Sequence, residues 1–110
     1  VQTCALPISL LKTAGLREQV MVDVSHANSS KQHARQIVVA ADVAAQIAAG
    51  DARITGLMIE SHLNEGRQDI VAGQPLKHGV SVTDACISMV QTVPVLQELA
   101  TAVRARRAAA

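Results

Sequence analysis

The sequence predicts an α/β fold with a short parallel sheet, and three observations carry that prediction. Two apolar runs rich in β-branched residues, QVMVDV (19–24) and ITGLMIE (54–60), read as buried strands. The longer stretch between them, SSKQHARQIVVAADVAAQIAAG, has helical spacing and ends on a glycine. Strand, helix and strand in that order make a βαβ unit, whose two strands run parallel.

Each element follows from its residues. SLLKTAGLREQ reads as the end of a helix leading into the first strand. In the crossover helix, Ser29 or Ser30 can act as cap, and Gly50 supplies the stop. Ala34, Ile37, Val38, Ala41, Ala45 and Ala48 line one face of it, with Lys31, Arg35, Asp42 and Gln46 on another. The stretch 61–81 holds three glycines and one proline without sustained periodicity, and loops of that length tend to be functional. VTDACIS predicts a helix start with Thr83 or Asp84 near its first turn, and Pro94 can open a further turn. Leu96, Leu99 and Val103 give that segment an apolar stripe, and the arginines of the closing RARRAAA sit where the helix dipole favours cations.

Composition narrows the function classes. A net charge of +1 with 17% charged residues argues against a nucleic-acid footprint. No run approaches the roughly 18 apolar residues that span a bilayer, so no membrane partner is expected. Cys4 and Cys86 stand far apart without CxxC spacing, which fits reduced thiols and a cytoplasmic location. The chain has no Phe, Tyr or Trp, so its core must come from Val, Ile, Leu and Ala, and the 110 residues invite the question whether they are part of something larger.

Ligands of parallel α/β folds sit at the carboxyl ends of the strands. His26 follows the first strand and Glu60 closes the second, so neighbouring strands bring both to one rim. Parity puts Val20, Val22, Val24 and His26 on one face, and Ile54, Gly56, Met58, Glu60 and His62 on one face of the second strand, with Asp23 on the opposite parity and outside the site. Asp84 joins them if the long loop folds back over the rim. A divalent-metal set satisfies this pattern. So does a hydrogen-bonded histidine beside an N-cap aspartate. His33 and His78 read as solvated, and Ser29, Ser30 and Lys31 read either as caps or as a phosphate-binding helix N-terminus.

VMVDVSHANSSKQ, GLMIESHLNEGRQ, GQPLKHGVSVTDACI and VLQELATAVRARR, in this order and spacing, resemble the C-terminal part of class I 3-deoxy-D-arabino-heptulosonate 7-phosphate (DAHP) synthases. The resemblance runs from about Leu11 to Arg107, and residues 1–9 read as a non-family, artefactual leader before a family segment at 10–110. It implies the last two βα units of a TIM-type (β/α)8 barrel. The implied activity is the first step of the shikimate pathway, towards aromatic amino acids. There, carbon 3 of phosphoenolpyruvate attacks the aldehyde of erythrose 4-phosphate, water adds at carbon 2, and phosphate leaves.

The family's metal ligands carry over by motif. The histidine of SHANSS is His26, the glutamate of ESHL is Glu60, and the aspartate of TDAC is Asp84. The implied ion is Mn, Fe, Co, Cu or Zn, since such mixed donors do not select sharply. His62, with the parity of Glu60, is a candidate support for the ligands. The fourth family ligand, a cysteine in a GPCSIH motif, has no counterpart here, and Cys4 lies in an unrelated context. The resemblance further implies a homo-oligomeric parent enzyme and a segment inactive by itself. A small stand-alone α/β metal-binding module is the alternative. As an excised piece the segment is expected to be aggregated, or compact without fixed packing, keeping helix over 31–49 and 94–107.

Overall fold

The computed structural model describes residues 5–29 and 32–110. Helix α1 (Ala5–Thr13) buries Ile8 and leads into strand β1 (Val20–Asp23). Helix α2 (Arg35–Ala48) returns the chain to β2 (Ile54–Met58), which pairs in parallel with β1. The predicted βαβ unit is therefore present, with both strands shorter than their apolar runs. β1 stops because the Asp23 carboxylate accepts the Ser25 N–H at 2.8 Å, closing a turn on its own backbone.

Downstream of that turn the capping prediction is corrected. His26–Ser29 form a 3-10 turn in which the Ser29 hydroxyl donates to the His26 carbonyl (3.2 Å), and α2 begins only after Ala34, with no side-chain cap. Ser30 and Lys31 lie outside the described residues. The C-terminal stop is as expected, with Ala49 as cap and Gly50 at φ 109°, the left-handed region that glycine adopts cheaply.

The buried face of α2 is Gln36, Val39, Ala40, Val43, Ala44 and Ile47, adjacent to the predicted stripe, and Val38 is 63% exposed. This helix is apolar around most of its circumference, so spacing alone does not choose between neighbouring stripes. The chosen one carries Gln36, which finds polar partners inside. Its amide accepts the Glu60 N–H (2.8 Å) and donates to the Glu60 carbonyl (3.1 Å).

Two-residue strands β3 (Ser61–His62) and β4 (Ile87–Ser88) also pair in parallel. Helix α3 (Met89–Ala109) follows, starting later than predicted. Residues 81–86 stay in a loop, and Ser88 caps α3 in a reciprocal pair with Gln91. Pro94 lies inside this single helix instead of opening a new one, and the buried residues are Thr92, Val95 and Ala102, while Leu96 is exposed. Arg106 has a use beyond the helix dipole, because its Nη1 donates to the carbonyls of Asp51 (2.8 Å) and Ile54 (3.0 Å), tying the far end of α3 to the start of β2.

The core is aliphatic and sits between one face of β1–β2 and helices α2 and α3, with Val22, Val24, Val43, Ile47, Ile54 and Val95 at its centre. Each such side chain contributes about 1.5–3 kcal/mol by leaving water. The expected alternation in β1 is kept, with Val22 and Val24 together facing the helices, but the site lies on the other face, that of Met21 and Asp23, and not on the valine face. In β2 an irregularity between the pairs Val20↔Ile54 and Met21↔Gly56 skips Thr55, so Ile54 and Leu57 turn to the helices while Gly56 and Met58 join Met21 and Asp23. That skip is not visible to a strict two-residue alternation.

Candidate metal centre

The site forms beyond the strand ends. Val24 keeps the ladder going for one more bond, donating to the Met58 carbonyl at 3.0 Å, and the chain then turns at His26 with φ 49°. A positive φ is uncommon outside glycine and is held here by the surrounding contacts. It swings the imidazole toward the side on which Asp23 lies.

Glu60 reaches the same place from β2, its backbone clamped by Gln36 and its carbonyl also accepting the Ile87 N–H (3.1 Å). Asp84 arrives on the folded-back loop, away from any helical first turn. That loop is organised by polar side chains. Gln68 binds the Lys77 and Val80 carbonyls and the Lys77 N–H, Arg67 Nε donates to the Thr83 carbonyl at 3.0 Å, and the Thr83 N–H donates to Ser81 Oγ at 3.1 Å. Gly79 belongs to this fold-back: at φ 72° a Cβ would come within 2.9 Å of both Asn64 and Leu63.

His26 Nε2 stands 3.0 Å from Glu60 Oε1 and 3.2 Å from Asp84 Oδ2, and one donor atom from each residue lies within 4.8 Å of the others. The Glu60 side chain is 23% exposed and that of Asp84 69%. Two carboxylate oxygens beside an imidazole nitrogen favour a cation, and this donor set suits a divalent ion. The three side chains border a cleft of about 200 Å³, whose wall includes His33, Gln36 and Arg67.

Asp23, which parity left out, is part of the cluster. Its Oδ2 lies 2.8 Å from His26 Nδ1, and its Oδ1 accepts both the N–H (2.8 Å) and the hydroxyl (2.5 Å) of Ser25. Burial pushes the Asp23 carboxyl up, but the hydrogen bonds from Ser25 and His26 outweigh it and hold the group below the usual carboxylate range. His26 is raised, first by its hydrogen bond with Asp23, against desolvation, and then by the charges of Glu60 and Asp23 and the bond to Asp84. The spacing Asp-x-Ser-His is the signal that would have found this contact, since an aspartate bonding its own backbone two residues on ends strands in this way.

The other candidates take plainer positions. His62 is exposed on β3, and its Nδ1 accepts the Leu63 N–H at 2.8 Å. His33, expected in solvent, is part-buried in the cleft wall, its Nε2 3.4 Å from Glu65 Oε2. His78 is exposed, Ser29 is buried on the His26 carbonyl, and Cys86 is a free, buried thiol pushed up by burial. No helix among the described residues is long and apolar enough to cross a membrane.

Comparison with known proteins adds an independent finding. The family model described as DAHP synthetase I family matches residues 5–97. The Phe-sensitive phospho-2-dehydro-3-deoxyheptonate aldolase of Escherichia coli K12 is 56% identical over 97 residues, covering 88% of this chain and 28% of that protein. The tyrosine-inhibited phospho-2-dehydro-3-deoxyheptonate aldolase of Schizosaccharomyces pombe is 55% identical over 101 residues, covering 88% and 27%. A solved structure of phospho-2-dehydro-3-deoxyheptonate aldolase from Francisella tularensis superposes with a TM-score of 0.84 at 47% identity, over 90% of this chain and 28% of that one. The chain thus spans little more than a quarter of the length of these relatives.

Proposed function

Because the chain belongs to the DAHP synthetase I family, we propose that it supplies three metal ligands and one wall of the active site of a DAHP synthase, which condenses phosphoenolpyruvate with erythrose 4-phosphate. The single observation that carries this is the convergence of His26, Glu60 and Asp84, the residues matching the family's ligand motifs, within 4.8 Å at the carboxyl end of β1–β2. The ion's identity stays open among Mn, Fe, Co, Cu and Zn.

Within this reading each residue has a defined task. His26 presents Nε2 while its Nδ1 is engaged by Asp23. Glu60 and Asp84 contribute the negative charge that makes the pocket select a cation, and Gln36 fixes the Glu60 backbone so that its carboxylate cannot drift. A divalent ion held there supplies Lewis acidity toward an aldehyde oxygen. The cleft bordered by His33 and Arg67 gives substrate an approach to the ligands.

The β1–β2 pair fits the reading of two adjacent staves of a (β/α)8 barrel. Among the described residues helices cover one face, and Met21 (66% exposed) and Met58 (38%) stand open on the other, where a barrel interior would close over them. Such a bare apolar face speaks against a self-sufficient metal-binding module. A cytoplasmic setting fits a biosynthetic enzyme whose Cys86 is free and buried.

The test is a full-length synthase in which this chain replaces the matching part of the Escherichia coli Phe-sensitive relative. Alanine at His26, Glu60 or Asp84 is expected to abolish metal-dependent condensation in metal-buffered assays. Undiminished turnover in any of the three would overturn the assignment.

A further inference from the structure

We propose that Asp23 is a positioning residue of the metal centre: its carboxylate holds Nδ1–H of His26 and so directs Nε2 toward Glu60 and Asp84. The proposal rests on the reading of those three residues as ligands. Its geometric basis is a chain of contacts in which every member is itself held. Asp23 is the last residue of β1, in register with Met58 on β2, so its backbone belongs to the sheet and not to the loop. Oδ1 is fixed by the Ser25 N–H and hydroxyl, which leaves Oδ2 facing His26 Nδ1 at 2.8 Å.

Ser25 Oγ lies 2.7 Å from the same ring nitrogen. With the hydroxyl proton directed to Asp23, that oxygen offers Nδ1–H a lone pair, so both neighbours of Nδ1 act as acceptors. With a divalent ion between the ligands, these acceptors hold the ring in the tautomer whose Nε2 lone pair faces the ion; without one, the 3.0 Å and 3.2 Å separations of Nε2 from Glu60 and Asp84 are those of an Nε2–H donor. The left-handed backbone at His26 is consistent with this, since a conformation that costs free energy persists where other contacts over-determine it. A carboxylate behind a ligating histidine raises the basicity of the ligand and removes its rotational freedom, and losing such a partner typically weakens metal binding about 10- to 100-fold.

The experiment uses the full-length synthase carrying this chain, stripped of metal and titrated with Co²⁺, with Asp23→Asn, Asp23→Glu and His26→Ala compared. Asp23→Asn is expected to raise the Co²⁺ Kd about 10- to 100-fold and to change the visible cobalt spectrum, Asp23→Glu to recover part of both, and KM for phosphoenolpyruvate at saturating cobalt to stay unchanged. An Asp23→Asn enzyme with the unsubstituted Kd and spectrum overturns the proposal. If His26→Ala also binds cobalt undiminished, the ligand reading itself falls; if His26→Ala loses cobalt while Asp23→Asn keeps it, only the role of Asp23 falls. Should Asp23→Asn not fold, the cobalt-loaded unsubstituted enzyme still decides. A paramagnetically shifted Nδ1–H of His26 in slow exchange with solvent supports the proposal, and one exchanging freely overturns it.

Discussion

The layer of β1, β2, α2 and α3 and the loop region 61–88 are built on different physics, although they meet at Glu60. In the layer, buried Val, Ile and Ala side chains do the holding, and almost any aliphatic set of similar volume would serve. In the loop region the holding is done by Gln68, Arg67, Ser81, Thr83 and Asn64, each bonded to backbone or to a neighbour at a defined point. Burial is tolerant of direction and hydrogen bonding is not. A fold that must present three donor atoms within 4.8 Å therefore puts the aliphatic layer underneath and the directional contacts at the rim.

Substitutions in the full-length synthase can separate the two regions. The largest effect on stability is expected from Ile54→Ala, at a position 1% exposed. It should cost about 2–5 kcal/mol in urea unfolding, while the metal Kd of the protein that remains folded stays unchanged; a weakened metal site would mean that the two regions are coupled through packing.

Gln36→Leu keeps the volume and removes both bonds to the Glu60 backbone. The Glu60 carbonyl retains the Ile87 N–H, but the Glu60 N–H is left without this partner, at a cost of about 1–3 kcal/mol. Here metal affinity should fall along with stability, because Gln36 is where the layer reaches into the rim. Unchanged metal binding by titration would show that Glu60 is positioned by other contacts.

The smallest effect belongs to Asp51, whose carboxyl is held below its ordinary value first by the side-chain bond to Arg53, against burial, and then by the Arg53 backbone N–H. A depressed carboxyl stabilises the fold above its unfolded pKa of about 3.9 and loses that contribution as pH falls through the folded value. Asp51→Asn should therefore cost less than about 1 kcal/mol at pH 7. The difference from the unsubstituted protein should close below about pH 4, as followed by urea midpoints across pH. A gap that persists in acid would mean the carboxylate charge is not what matters.

The same contrast explains what could be read from the sequence. The βαβ order and the Gly50 stop were legible because they depend on burial period and on one special backbone conformation. The motifs SHANSS, ESHL and TDAC pointed to His26, Glu60 and Asp84, and the chain folds so that all three meet. Strand parity failed because Asp23 ends β1 with its own carboxylate and because β2 skips a residue at Thr55. The α3 start was missed for a related reason: Thr83 and Asp84 look like N-terminal residues of a helix, but the Thr83 N–H is taken by Ser81 and the real cap is the Ser88–Gln91 pair. Gln36 carries no motif or spacing signal, and only its distance to Glu60 reveals it as the bridge between the regions.

The central claim, that this chain holds a divalent ion through His26, Glu60 and Asp84, is tested most directly by an anomalous-scattering map of the zinc-loaded full-length synthase carrying it. The account predicts a zinc peak about 2.0–2.2 Å from His26 Nε2 and from one carboxylate oxygen each of Glu60 and Asp84, with Asp23 still on Nδ1. A peak that touches none of the three, with His26 left bonded directly to the two carboxylates, would contradict it.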